Sequence, residues 1–195
     1  MKRISFKNSG GLNLTQAVLS GRKTMTRREV ANKIERAATE YARGKRESIR
    51  AKFEYILKHS PYKIGDIVAI QQAYKEVYRE LFGDAITQNI SKRTAGWENK
   101  MFVSASLMPH HIRITDVRVE RLRDILDEDC LREGIITKLE FFVRDEPIYS
   151  YTFRGCNSWY NTPSDAFTAL IDKVSGRGTW NGNPFVWAYS FELVD

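Results

Sequence analysis

Short alternating apolar segments, separated by turns and by helices that do not recur between them, argue against strand–helix–strand units and a parallel α/β sheet. Ile4 and Phe6 alternate with polar neighbours over residues 2 to 7, and residues 67 to 73 and 101 to 107 also read as strands. Ile112 and Ile114 alternate, then Val117 and Val119 on the opposite parity, which predicts a β-bulge near Asp116. Residues 139 to 153 read as a hairpin turning at Asp145-Glu146-Pro147, and residues 185 to 194 as a last strand with Val186 and Ala188 alternating against Trp187 and Tyr189. Helical spacing fills other stretches. Leu14 and Val18 share a face before Gly21. Val30, Ile34, Ala37, Ala38 and Tyr41, then Ile49, Phe53, Ile56 and Leu57, form two faces around Gly44 and predict a helical hairpin ended by Ser60-Pro61. A short helix is expected over Val77 to Phe82. Asp127 is expected to cap another that reaches Glu133 and stops at Gly134. Thr162, Pro163 and Asp165 mark the start of one whose apolar face is Phe167, Leu170, Ile171 and Val174. The expected fold is α+β: a small mixed β-barrel with flanking helices and an inserted helical hairpin, as one domain over residues 1–195.

The 195 residues, 42% hydrophobic and 28% charged, suffice for one packed core without a disulfide scaffold. Cys130 and Cys156 lie far apart, as inert thiols in a reducing compartment would. His59, His110 and His111 have no cysteine or histidine spacing that resembles a zinc site, so no metal and no cofactor are expected. The start of the chain lacks an apolar signal core, and the longest apolar runs are a few residues, so a cytoplasmic protein with no membrane partner is expected. The net charge of +7 favours anionic partners. Residues 27 to 58 carry ten Lys/Arg against five Glu, which is either a solvated helical surface or a nucleic-acid footprint.

The densest chemical constellation is Gly21-Arg22-Lys23-Thr24-Met25-Thr26-Arg27-Arg28. Its four cations can bind phosphate or a carbonyl oxygen. If the segment is extended, Thr24, Thr26 and Arg28 share one face. Lys23 falls on the other parity and meets Thr26 only if the chain turns just after Gly21. An exposed basic turn is the plainer alternative; a P-loop is excluded by the glycine spacing. Glu133, in the last turn of its short helix, faces the negative end of the helix dipole. It therefore needs a cationic partner, or tends toward a raised pKa suited to proton transfer, unless it is simply a solvated glutamate. Trp187 lies in an aromatic cluster with Trp180, Phe185, Tyr189 and Phe191; such residues fill a core, while one or two can stack on a base.

These pieces resemble the ASCH-domain family, a branch of the PUA-like superfamily, in ordered blocks. They are Gly21 to Arg28; Tyr62-Lys63-Ile64-Gly65-Asp66-Ile67-Val68; Met108-Pro109 with Arg113-Ile114; Val119-Glu120-Arg121-Leu122 with Ile125; Glu133-Gly134-Ile135; and Asn183-Pro184-Phe185-Val186-Trp187 with Phe191-Glu192. The later blocks look most like ASCH proteins of phages and prophages. Residues 30–60, 75–99 and 137–160 lie largely outside the likeness and read as insertions, the first a lid over the cleft or an extension of the basic surface. The resemblance implies a PUA-like barrel that binds nucleic acid, RNA above all, or a modified nucleoside in a cleft. Some small bacterial members remove an acyl group from N4-acetylcytidine with a lysine and a threonine in a G-x-K-x-x-T pattern and a glutamate on a short helix. The matching positions here are Lys23, Thr26 and Glu133, with Arg22, Thr24, Arg27, Arg28 and Trp187 as candidate ligand contacts. In such an amidohydrolase Lys23 serves Thr26 as base, Glu133 orients the lysine, and Arg28 stabilises the oxyanion. A protein-interaction module associated with phages is a third possibility.

Overall fold

A computed structural model describes residues 1–88 and 95–194. The alternating segments form five strands of one mixed sheet: β1 (Lys2–Ile4), β2 (Met25–Glu29), β3 (Ile67–Ile70), β4 (His111–Arg121) and, last in the chain, β7 (Phe185–Leu193). Their spatial order is β1-β3-β4-β7-β2, with β1 parallel to β3 and every other pair antiparallel. The β4–β7 register shifts between Ile114 and Asp116, which places the bulge where the change of apolar parity puts it. A separate two-stranded sheet comprises β5 (Ile136–Val143) and β6 (Glu146–Thr152). Its turn residues, Arg144 and Asp145, take φ of 49° and 67°, as a two-residue hairpin loop requires.

The fold is α+β, as the patterning predicts, but the expected barrel does not close through backbone pairing. β1 and β2 are unpaired edges. A three-residue edge strand offers too few backbone groups for a closing ladder. Side chains bridge the gap instead. The Arg28 guanidinium donates to the Ser5 carbonyl, and Phe6 packs on Phe191 with ring centroids 5.8 Å apart. A flat five-stranded sheet would hold its edges about 19 Å apart, beyond the reach of one arginine, so the sheet is strongly curled. Buried Ile70, Ile112, Ile114 and Tyr189 belong to the core of this curl.

Seven helices occur among the described residues: α1 (Leu14–Leu19), α2 (Asn32–Ala42), α3 (Ser48–Lys58), α4 (Tyr74–Gln88, broken at Gly83), α5 (Asp127–Arg132), α6 (Pro163–Ser175) and α7 (Thr179–Gly182). Thr162 caps α6 by accepting from the Asp165 amide at 3.1 Å, as expected. Asp127 does not cap α5. Leu126 occupies the cap without a side-chain bond, and Asp127, Glu128 and Asp129 fill the first turn, where the helix dipole favours carboxylates. The strand expected over residues 101 to 107 is two 3-10 turns, Lys100–Phe102 and Ala105–Leu107. The Asn99 side chain accepts from the Met101 amide and competes locally with extension. α4 extends past both ends of the short helix expected there. Residues 89–94, inside the segment read as an insertion, lie outside the described residues.

The α2–α3 hairpin is present and welded to the sheet. Ala38 and Ile56 are fully buried. The Trp187 indole donates to the Ile56 carbonyl at 3.0 Å, and the Tyr189 and Ser60 hydroxyls meet at 2.7 Å. No described helix is long and apolar enough to cross a membrane.

Candidate functional site

The turn that Lys23 requires is present. After α1, Gly21 takes φ of 72°, a conformation that favours glycine. Its amide donates to Val18, and the Lys23 amide donates back to Ala17 at 2.8 Å. This reversal turns Lys23 inward, and β2 then leaves along β7. Behind it, α5 ends at Glu133, whose amide donates to the Asp129 carbonyl, and Gly134 continues with φ of 103°. The two chain reversals bring Lys23 and Glu133 together.

Lys23 is 2% exposed. Its ammonium donates to Glu133 Oε2 at 2.5 Å and to the Glu133 carbonyl at 2.8 Å. Burial pulls the Lys23 pKa below its ordinary value, and attraction to Glu133 only partly opposes this. Glu133 also holds Arg27 Nη1 at 3.2 Å. The carboxylate at the unfavourable helix end thus has cationic partners, one of the outcomes its position requires.

Arg27 is the hub of a wider network. Its Nε donates to Glu120 at 2.7 Å and its Nη2 to Asp129 at 2.9 Å. Burial works against its charge, but Glu133 and Glu120 outweigh burial and raise its pKa above the ordinary value. The sheet register explains the meeting. Arg27 on β2 and Arg118 on β4 both pair with Ala188 on the intervening β7, so the three side chains share one face. The small Ala188 side chain leaves room, and Asp129 Oδ2 accepts from Arg118 at 2.7 Å as well as from Arg27. Burial pushes the Asp129 carboxyl up, but the bonds from Arg118 and Arg27 win and hold it below its ordinary value. Sequence reasoning missed Asp129, Glu120 and Arg118. Their only local signals were the acidic first turn of α5 and the charged alternation along β4.

Thr26 and Arg28 lie on the opposite face of β2. With Lys23 and Glu133 they line a cavity of about 630 Å³, a size that accommodates small ligands. Phe167 and Leu170 of α6 contribute an apolar wall, and Ser5, Phe6 and Lys100 lie on the wall beside Arg28. Thr26 is buried, and its hydroxyl holds no hydrogen bond to any described residue.

The remaining candidates lie elsewhere. Arg22 is exposed and outside the cavity wall. Thr24 is not on the wall of this cavity, and its hydroxyl accepts from Arg132 Nε at 3.4 Å. Trp187 is 5% exposed and spends its indole N–H on Ile56, so it is a core residue under α3 rather than a stacking platform. No residue of the α2–α3 hairpin lines the cavity beside Lys23, which sets aside the lid, one of the two readings of that segment, and leaves the extended basic surface. The Cys130 thiol is buried and pushed up to about 12 by that burial, so it is inert at neutral pH. No group of three metal-ligating side chains occurs among the described residues.

Fold and site together define an α+β protein with a ligand-sized cavity beside a buried lysine–glutamate–arginine network. Comparison with protein-family models, curated proteins and solved structures finds no match.

Proposed function

We propose that this chain binds nucleic acid, RNA above all, or a modified nucleoside in the cavity beside β2, and that its curled sheet is PUA-like. The observation that carries the proposal is the convergence of Lys23, Thr26 and Glu133 on one cavity. Glu133 lies 110 positions from Lys23, and the three are the set that the ASCH resemblance implies. The apolar wall from α6 suits a base, and the free Thr26 hydroxyl suits a polar ring substituent. Titration calorimetry with N4-acetylcytidine and with a short single-stranded RNA tests it. Saturable binding that is lost in Lys23→Met is expected. Failure of both probes to bind folded protein would refute it.

A second reading, an amidohydrolase for N4-acylcytidine, is favoured by the lowered Lys23 pKa beside an uncommitted Thr26 hydroxyl. Thr26 Oγ attacks the acyl carbon while its proton passes to the neutral form of Lys23. The tetrahedral intermediate expels the cytosine N4, which takes up that proton, and leaves an acyl-threonine ester. Water then cleaves the ester to the carboxylic acid and regenerates the hydroxyl. Glu133 holds Lys23 in place and accepts a proton as the lysine cycles. Incubation with N4-acetylcytidine should release cytidine and acetate. Binding without release would leave the cavity a reader rather than a hydrolase.

A further inference from the structure

The two ends of the cavity are compensated differently. Lys23 and Arg27 are neutralised by Glu133, Glu120 and Asp129. Arg28, Lys100 and Lys7, on the same cavity wall, have no carboxylate within ion-pair distance among the described residues. Apart from the Phe6 ring, whose centroid lies 5.6 Å from the Arg28 guanidinium, they rest on backbone carbonyls. Arg28 donates to Ser5 and Lys100 to Phe6, while Lys7 donates to Lys173 and Val174. Of the acids on this wall, Glu29 is exposed, and Glu76 and Glu98 are engaged. Glu76 accepts from the Ala73 amide at 3.0 Å, and Glu98 pairs with Lys75 at 3.6 Å. Arg28 Nε is moreover buried with no hydrogen-bond partner. A buried guanidinium edge without an acceptor is costly, and a ligand oxyanion would remove that cost.

We propose that Arg28 and Lys100, assisted by Lys7, form a phosphate subsite, so that the ligand of this cavity is a nucleotide unit rather than a bare nucleoside. The inference rests on the nucleoside reading above and adds the chemistry of one end of the ligand. A guanidinium with a free N–H edge and an adjacent ammonium suit phosphate oxygens, the first by directed donors and the second as a point charge. Burial lowers the pKa of both groups, as uncompensated cations require, and the Arg28 charge lowers that of Lys100 further. Glu76 attracts Lys100 and Glu133 attracts Arg28, but neither comes within bonding distance.

The test is calorimetric titration of the full chain with cytidine, 5′-CMP, 3′-CMP and the trinucleotide rCrCrC at one ionic strength. At least one phosphorylated probe should bind about tenfold to a hundredfold more tightly than cytidine. Preference for a mononucleotide assigns a terminal phosphate; preference for the trinucleotide alone assigns a strand phosphodiester. Lys100→Gln and Arg28→Gln should collapse that ratio toward one. Arg177→Gln, an exposed cation outside the cavity wall, should leave it intact. Cytidine bound as tightly as every phosphorylated probe overturns the subsite while the nucleoside reading survives. A ratio that persists in both variants also overturns it. No binding of any of these probes overturns the subsite, and if N4-acetylcytidine fails as well it overturns both.

Discussion

Replacing Glu133 by glutamine keeps the side-chain shape and removes the charge that compensates Lys23. Lys23 is 2% exposed, so its ammonium would be left buried beside neutral acceptors only. Breaking a buried ion pair by removing one partner costs about 3–5 kcal/mol. A lysine can also escape by losing its proton, which caps the penalty. With an ordinary value of 10.5 in the unfolded chain, deprotonation at pH 7 costs about 4.8 kcal/mol, and at pH 9 about 2.0 kcal/mol, at 1.36 kcal/mol per unit. The full penalty is therefore expressed at pH 7, whereas at pH 9 the cap falls below it. Urea unfolding of wild type and Glu133→Gln should show a stability difference of about 3–5 kcal/mol at pH 7 that shrinks to about 2 kcal/mol at pH 9. Lys23→Met in the same background should remove the pH dependence of the difference. An equal difference at both pH values would show that the lysine charge is not the source of the loss.

Thr26→Ala should leave stability within about 1 kcal/mol, because the hydroxyl has no partner to lose; product analysis should show release of cytidine reduced by about a thousandfold or more if the amidohydrolase chemistry holds, and full turnover would remove Thr26 as nucleophile. Asp129→Asn should destabilise at neutral pH. The depressed Asp129 value means its stabilisation is present above the ordinary carboxylate range and lost as pH falls through the folded value, so the gap to wild type must narrow in acid, as acid-unfolding curves will show. Trp187→Phe should cost about 1 kcal/mol by removing the indole bond to the Ile56 carbonyl, which still accepts from the His59 amide; an equal loss of ligand affinity with no loss of stability would return Trp187 to the cavity. Charge reversal at Arg36, Arg43 and Arg50 should weaken RNA affinity and flatten its salt dependence if the hairpin touches the polymer, and filter binding across a salt series measures this.

The sequence pattern exposes what is local. The bulge in β4, the Thr162 cap, the two helices around Gly44 and the turn needed after Gly21 each depend on a few neighbouring residues, and each is found. The pairing of Lys23 with Glu133 was reached only through the resemblance, since 110 positions separate them. Asp129 and Arg118 were invisible because their meeting depends on a shared register with Ala188, a relation that no local spacing encodes. The residues around Met101 misled for a physical reason, because the Asn99 side chain satisfies the backbone locally and pre-empts a ladder. Trp187 was ambiguous on its own strand; the Ile56 carbonyl from a distant helix settles its place. Closure of the barrel failed at β1, where three residues supply the edge.

The weld between the α2–α3 hairpin and the sheet bears on how such a chain can change. A segment that reads as an insertion is free to be lost only while the surface beneath it remains able to face water. Here Trp187, Tyr189 and Phe185 lie under it, and the hairpin supplies the acceptor for one and an edge-on ring, Phe53, for another. Its excision would strand three aromatic rings and an indole N–H at once. The helices can therefore be removed only together with substitutions that make that face of the sheet polar.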